Sequence, residues 1–445
     1  MAERTLLSAV TLLGALWSLE VHHYLPWAFF KEQYLGLFLA VALGAIFLSV
    51  KSHPRSPARR VPWYDWLLSL CGLSVGLYVV IFYPTIAYQL GLLTWDKVAL
   101  GVLAIILVLE ATRRLVGWMM VGLAGVFILY AKFAYLFPGL LNAKGSSWER
   151  IAVYLYLDTN SLFGLPLSVT AGMVVAFIFF GQVLYAVGGD KFLTDLAMVA
   201  MGRFRGGPAK VSVVASCLFG TVSGSAVSNV VVDGPITIPM MKRAGYAPHV
   251  AAAIEAVAST GGQIMPPVMG VAAFLIAEFL AIPYSEVALA AVIPALLYYL
   301  ALFVQVDLEA AKGGLLGLPG PQLPRFRTVM RRGWSFLIPL LVLVYTLMIA
   351  VWEAGKAGMA AVITALIVGA LQREDRLTLA KLRTAVEETG RVVLDIAAIT
   401  AVAGFVIGVL QLSGLAFKFS LLLVTVAGGN ALALLCLTAD RKSVV

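Results

Sequence analysis

The chain has 445 residues, of which 61% are hydrophobic and 12% charged, with a formal net charge of +9. Soluble domains carry roughly 25% charged residues, so a surface facing water on all sides is excluded. The basic excess sits in short loops between apolar runs, which makes it an orientation signal rather than a nucleic-acid footprint.

Apolar runs of membrane length, about 20 residues as helix, begin at once. The first five lie near 5–21, 34–50, 65–87, 97–112 and 116–136. The first resembles a signal peptide but lacks a small-x-small site after Trp17, so it is read as an uncleaved span. Cys71, Cys217 and Cys436 lie in apolar segments without ligand spacing and are read as buried and reduced. Residues 137–166, with Pro138, Asn142, Gly145, Ser146 and Ser147, read as an external linker. Further spans follow near 167–187, 247–281 (interrupted), 285–306, 335–352, 358–372 and 391–411.

Loop charge sets the orientation. The basic loop from Lys51 to Arg60 places the N-terminus in the cytoplasm. Counting spans from there sends Arg113–Arg114, Lys191–Lys210, Lys242–Arg243, Arg325–Arg332 and Arg373–Arg391 to the same side. This works only if 208–241 enters and leaves by one face, so that segment is a re-entrant hairpin.

The centre of the hairpin, Gly220 to Asn229, has seven Gly, Ser, Thr or Asn residues in ten. Its carbonyls and the hydroxyls of Thr221, Ser223, Ser225 and Ser228 suit a small cation, and the N-terminus of its second half suits an anion. Close packing of small residues is the alternative. A second break runs from Ser259 and Thr260 through Gly261, Gly262 and Gln263 to Pro266–Pro267. There two missing N–H donors should leave the carbonyls near Ser259 to Gln263 without helical partners; a kink without a ligand is the alternative. Unwound backbone at membrane depth must be buried in protein or line a wet cavity.

Ionisable residues inside a membrane mark functional positions. Asp233, one turn past the hairpin tip, is a candidate for a cation or proton site, or for a backbone cap. Glu255 either faces the cavity or pairs with Lys242 or Arg243. Glu110 is expected to pair with Arg113 and Arg114, and His249 to be solvated at a membrane edge. There is no P-loop, no His-Glu-x-x-His and no Cys-x-x-Cys, so the chain reads as no enzyme and needs no cofactor.

Gly202–Val211, Ser223–Asn229, Ile238–Gly245, Glu255–Gly270 and Ile282–Tyr284 together resemble permeases of TRAP (tripartite ATP-independent periplasmic) transporters. The resemblance is to the fused type, small and large membrane subunits in one chain, with a TAXI-class binding protein. It implies an all-α polytopic, elevator-type carrier of the bacterial inner membrane that is driven by sodium. Organic acids would be delivered to it by a periplasmic binding protein. Residues 1–136 would be the small-subunit scaffold and 167–390 the first part of the transport region. Ser223, Gly224, Ser225 and Asn229, with Ser259, Thr260, Gly261 and Gly262, would line a sodium site and one side of the substrate site; Ser223, Ser225 and Thr260 would be the sodium ligands. Residues 391–445 read as the start of a second inverted repeat. It lacks the family's second Gly-Met-Gly-Leu-Pro-Thr-Thr hairpin and ends in the polar run Thr438–Val445, which reads as a truncation. The alternatives are an anion carrier that needs no binding protein, and an inactive membrane scaffold.

Overall fold

A computed structural model describes residues 2–24, 29–52, 61–89, 91–372 and 376–440. Most of the basic loop Lys51–Arg60, the start of the Arg373 cluster and the last five residues of the C-terminal tail lie outside the described residues. No strand occurs among the described residues, so the protein is all-α.

The chain opens with α1 (Ala2–Ser18), α2 (Lys31–Ser49), α3 (Trp63–Tyr88), α4 (Trp95–Leu115) and α5 (Trp118–Phe133). A short α6 (Trp148–Leu157) precedes α7 (Leu165–Val169) and α8 (Val175–Ala186), with a π-turn at Thr170–Val174 between the last two. Next come α9 (Gly189–Met201), α10 (Gly207–Ser223), α11 (Ala226–Arg243), α12 (Pro248–Gly261), α13 (Val271–Leu280) and α14 (Tyr284–Lys312). Short α15 (Phe326–Gly333) leads into α16 (Leu337–Val344). The order continues through α17 (Ala354–Leu371), α18 (Leu379–Leu412), α19 (Leu415–Ala427) and α20 (Ala431–Asp440).

Eight of the described helical stretches are long and apolar enough to cross a membrane, which makes this a polytopic membrane protein. α4 has the length too, but Asp96, Lys97, Glu110, Arg113 and Arg114 interrupt its apolar character. Leu432 and Leu435 on α20 are exposed although apolar, as lipid-facing residues are, and Cys436 beside them is exposed rather than buried. All three cysteines are free.

The chain forms two compact units, residues 1–28 with 169–393 and residues 29–168 with 394–445. In the second unit α2 is buried along almost its whole length and packs on α3 through small residues. A Cβ on Gly76 would stand 2.3 Å from the Gly36 carbonyl oxygen, so the two backbones touch, as helices do in lipid. Arg114 pairs with Asp65 at 2.8 Å and with Glu110 at 2.8 Å, its side chain almost fully buried, and Arg113 also pairs with Glu110. α6 falls inside the stretch expected to be a linker. Its Ile151, Leu155, Tyr156 and Leu157 are buried, and the Tyr156 hydroxyl is donated to the Val75 carbonyl at 2.6 Å.

The first unit includes α1, which hydropathy alone groups with the scaffold of residues 1–136. Packing divides the chain differently. Gly14 lies against Val175, the Ser18 hydroxyl is donated to the Gly172 carbonyl at 3.0 Å, and the Thr11 hydroxyl to the Val386 carbonyl at 2.8 Å. The division at residue 393 falls within α18.

Candidate functional site

α10 and α11 form an antiparallel helical hairpin. Its tip is Gly224, in the left-handed conformation at φ +59°, followed by Ser225, whose side chain caps α11 by accepting from the Ser228 N–H at 3.3 Å. A side chain at 224 would collide with the Met269 carbonyl, 1.9 Å from its Cβ, so this turn requires glycine twice over. With 17 and 18 helical residues, each arm is about 25 Å long, and the chain returns to the end from which it set out.

The break docks on this tip. After α12 the backbone tightens into a 3-10 turn at Gly262–Ile264, passes the cis bond Pro266–Pro267 and Met269, and re-enters helix at Val271. Gly262 touches Gly220 backbone to backbone and approaches the Asn229 amide. Tyr284 holds the far side, its hydroxyl within 2.8 Å of the Pro267 carbonyl and 2.6 Å of the Val268 carbonyl. Its ring stacks on Phe274 at a centroid distance of 4.5 Å.

Carbonyls around the break were expected to lack donors; most have one. Tyr298 donates to Val257, Tyr299 to Ala258, the Gly262 N–H to Ser259, the Met265 N–H to Gly262 and the Gly270 N–H to Gln263. Because buried backbone oxygens are seldom left unpaired, the neighbouring tyrosines and the turn supply what the prolines removed.

Two buried carboxylates take opposite positions. Glu255, fully buried, accepts from Ser212 at 2.7 Å and Thr237 at 2.5 Å on Oε2, and from Ser259 at 3.2 Å and Ser216 at 3.4 Å on Oε1. Four donors fill the acceptor capacity of one carboxylate, so Glu255 ties α10, α11 and α12 together and has nothing left for a ligand. Neither Lys242 nor Arg243 pairs with it; hydroxyls reach it first from inside the bundle.

Asp233 is equally buried, yet neither of its carboxylate oxygens has a hydrogen-bond partner. Thr194 on neighbouring α9 lies close to Asp233, but its hydroxyl has bonding geometry to the Asp190 carbonyl at 3.1 Å. Asn229, one turn earlier on the same face, donates its amide N–H to the Ser216 carbonyl at 2.9 Å and leaves Oδ1 without a donor. The Tyr185 hydroxyl on α8, buried and also without a partner of bonding geometry, lies beside Ser223 and Asp233. Buried polar atoms of this kind are costly unless something fills them. The oxygens of Asn229 and Asp233 are acceptors without donors, and such a set suits a cation with oxygen preference.

The other expected residues divide. Ser223 is buried at the tip, with its oxygen 3.5 Å from the Ser225 N–H. Thr221 gives its hydroxyl to the Leu218 carbonyl at 2.6 Å, and Ser228 contributes its backbone to the cap. Gly261 packs under Tyr298, and Gln263 is exposed. Thr260 is exposed and gives its hydroxyl to the Ala256 carbonyl at 2.7 Å; no hydrogen bond links it to Ser223 or Ser225. Four polar residues of the site escaped the sequence reading: Ser212, Ser216, Thr237 and Tyr185. The first three carry a usable signal, because Ser212–Ser216, Asp233–Thr237 and Glu255–Ser259 are all i,i+4 pairs that align polar faces on three helices.

The family model of the DctM component of tripartite ATP-independent periplasmic transporters matches residues 103–439. Similar curated proteins include the C4-dicarboxylate TRAP transporter large permease protein DctM of Pseudomonas aeruginosa, 30% identical over 205 residues, which cover 45% of this chain and 47% of that protein. The isethionate TRAP transporter permease protein DctMQ of Oleidesulfovibrio alaskensis is 25% identical over 307 residues, 65% of this chain and 46% of that protein. The uncharacterized protein YgiK of Salmonella typhimurium is 29% identical over 230 residues, 51% of this chain and 49% of that protein. The chain spans about half the length of these curated relatives.

Proposed function

The chain belongs to the DctM-component family of tripartite ATP-independent periplasmic transporters, and from that premise we propose that it is the membrane permease of a sodium-coupled carrier. In this reading it sits in the bacterial inner membrane with its N-terminus in the cytoplasm. It imports organic acids handed over by a periplasmic binding protein of the TAXI class. The names of its relatives, which include C4-dicarboxylate and sialic acid permeases, support a carboxylate substrate. Among the described residues four α-helices begin before residue 103, where the family match starts, and they support a fused small-subunit portion.

One observation carries the sodium reading: Asn229 Oδ1 and both Asp233 oxygens are buried acceptors to which no donor makes a hydrogen bond of full geometry. A sodium ion held there, with Ser223 and the Tyr185 hydroxyl close by, satisfies them and offsets the Asp233 charge. The N-terminus of α11 beside it keeps first-turn N–H groups for a substrate carboxylate. Ion and substrate would then meet at the tip of one hairpin, and movement of the first unit as an elevator would carry both together.

The site is tested by sodium-induced stabilisation of the purified chain. Ligand that binds only the folded state raises its unfolding midpoint. Sodium chloride should therefore raise it above potassium chloride at equal ionic strength, and Asp233→Asn should abolish the difference. An undiminished sodium effect in Asp233→Asn removes the ion from this site.

A further inference from the structure

Away from the hairpin, the first unit holds a cavity of about 1120 Å³ between the start of α9 and α15. Among the described residues, five of its lining side chains are cationic, Lys191, Arg325, Arg327, Arg331 and Arg332, and one, Asp195, is a carboxylate. Among the described residues Arg325, Arg327 and Arg331 make no ion pair and no side-chain hydrogen bond, whereas Arg205 and Lys210 nearby in sequence are held by Asp307. Arg325, Arg327 and Arg331 are exposed; water and salt screen their mutual repulsion only in part, and an anion placed between them relieves the rest.

The form of α15 says what kind of anion. Its eight residues set Arg327 and Arg331 one turn apart, while Val329 and Gly333 are buried, the latter against the Phe192 ring. Phe326 at one end and Trp334 just past the other are 59% and 58% exposed, and the apolar α16 follows directly. Exposed aromatic residues flanking arginines, immediately before a membrane-length apolar stretch, mark the depth of lipid headgroups. A cavity at that depth meets phosphate as part of a lipid at far higher local concentration than as a free ion.

We propose that this cavity binds the phosphate headgroup of an anionic phospholipid, with Arg325, Arg327 and Arg331 on the phosphate and the exposed Phe326 and Trp334 against the acyl region. The site requires that the chain be embedded in a membrane, and it stands whether or not the hairpin binds sodium. Lys191 and Arg332, which act on Asp195, complete the charged lining.

The test uses the full chain in nanodiscs of phosphatidylcholine, alone or mixed with phosphatidylglycerol, with the thermal unfolding midpoint as readout. Phosphatidylglycerol should raise the midpoint in a saturable manner. The double variant Arg327→Gln/Arg331→Gln should weaken its apparent affinity on the order of thirtyfold, at about 1 kcal/mol per cation removed. Lys312→Gln, an exposed charge outside the cavity, should leave it unchanged. Because all three proteins are also compared in phosphatidylcholine alone, a folding defect in the double variant would appear there as a lowered baseline. The proposal is overturned if inorganic phosphate stabilises as well as the lipid does, if phosphatidylcholine alone gives the same midpoint, or if the double variant binds like the native chain.

Discussion

Gly220 and Gly262 meet backbone to backbone: a Cβ on Gly220 would stand 2.3 Å from the Gly262 Cα. Neither partner is a flexible side chain that can swing aside, so the hairpin tip and the break are fitted to each other at the one place where both helices dispense with side chains. The same approach puts Gly262 beside the Asn229 amide, which joins the docking contact to the candidate ion site.

Gly220→Ala should therefore destabilise the chain by about 1–3 kcal/mol, the usual cost of overpacking. Gly122→Ala on α5, where an added Cβ meets nothing within 4 Å, should be neutral or gain about 0.5–1 kcal/mol from better helix propensity. Unfolding midpoints of the two variants decide it; equal midpoints would mean that the hairpin does not dock on the break.

Glu255 acts as a buried tie, and ties show non-additivity. Thr237→Val removes one short hydrogen bond to the carboxylate at a cost of about 1.5–3 kcal/mol, and Glu255→Leu takes the acceptor from Ser212, Ser216 and Ser259 at about 3 kcal/mol or more, while Thr237 keeps the Asp233 carbonyl at 3.0 Å. Once Glu255 is gone the Thr237 hydroxyl keeps only the local Asp233 carbonyl, so the double variant should cost clearly less than the two single costs combined. Additive costs would show that the 2.5 Å contact carries no coupling.

How much of this could be read in advance depends on the range of the interaction. Helix positions follow from local hydropathy, so most spans were legible within a few residues; α6 was not, because ten residues are too few to register as a span. Loop charge parity turned 208–241 into a hairpin without any contact information. The Glu255 tie joins residues up to 43 positions apart, and no single-segment pattern shows that. Thr260 shows the opposite failure. Ser259 turns to Glu255 and Gly261 to Tyr298, and α12 keeps winding through them, so the residue between points elsewhere. A motif written as consecutive letters hides that rotation.

Asp195 supplies a pH signature. Burial raises its carboxyl above the ordinary range, against the pull of Lys191 and Arg332. An acid with a higher pKa folded than unfolded costs nothing while protonated in both states. The cost begins as pH rises through the unfolded value, about 3.9, and is complete above the folded one. Asp195→Asn should then be more stable than the native chain at neutral pH, with the advantage vanishing in acid. An advantage that persists unchanged in acid would point to packing instead of charge.

The central claim is that the hairpin and the break couple sodium to a carboxylate substrate. The most direct measurement is uptake of labelled carboxylates into liposomes that carry this chain, with the proposed periplasmic binding protein added, with and without an inward sodium gradient. The account predicts accumulation only when both the gradient and the binding protein are present. Accumulation that ignores sodium, or none under any gradient, would contradict it.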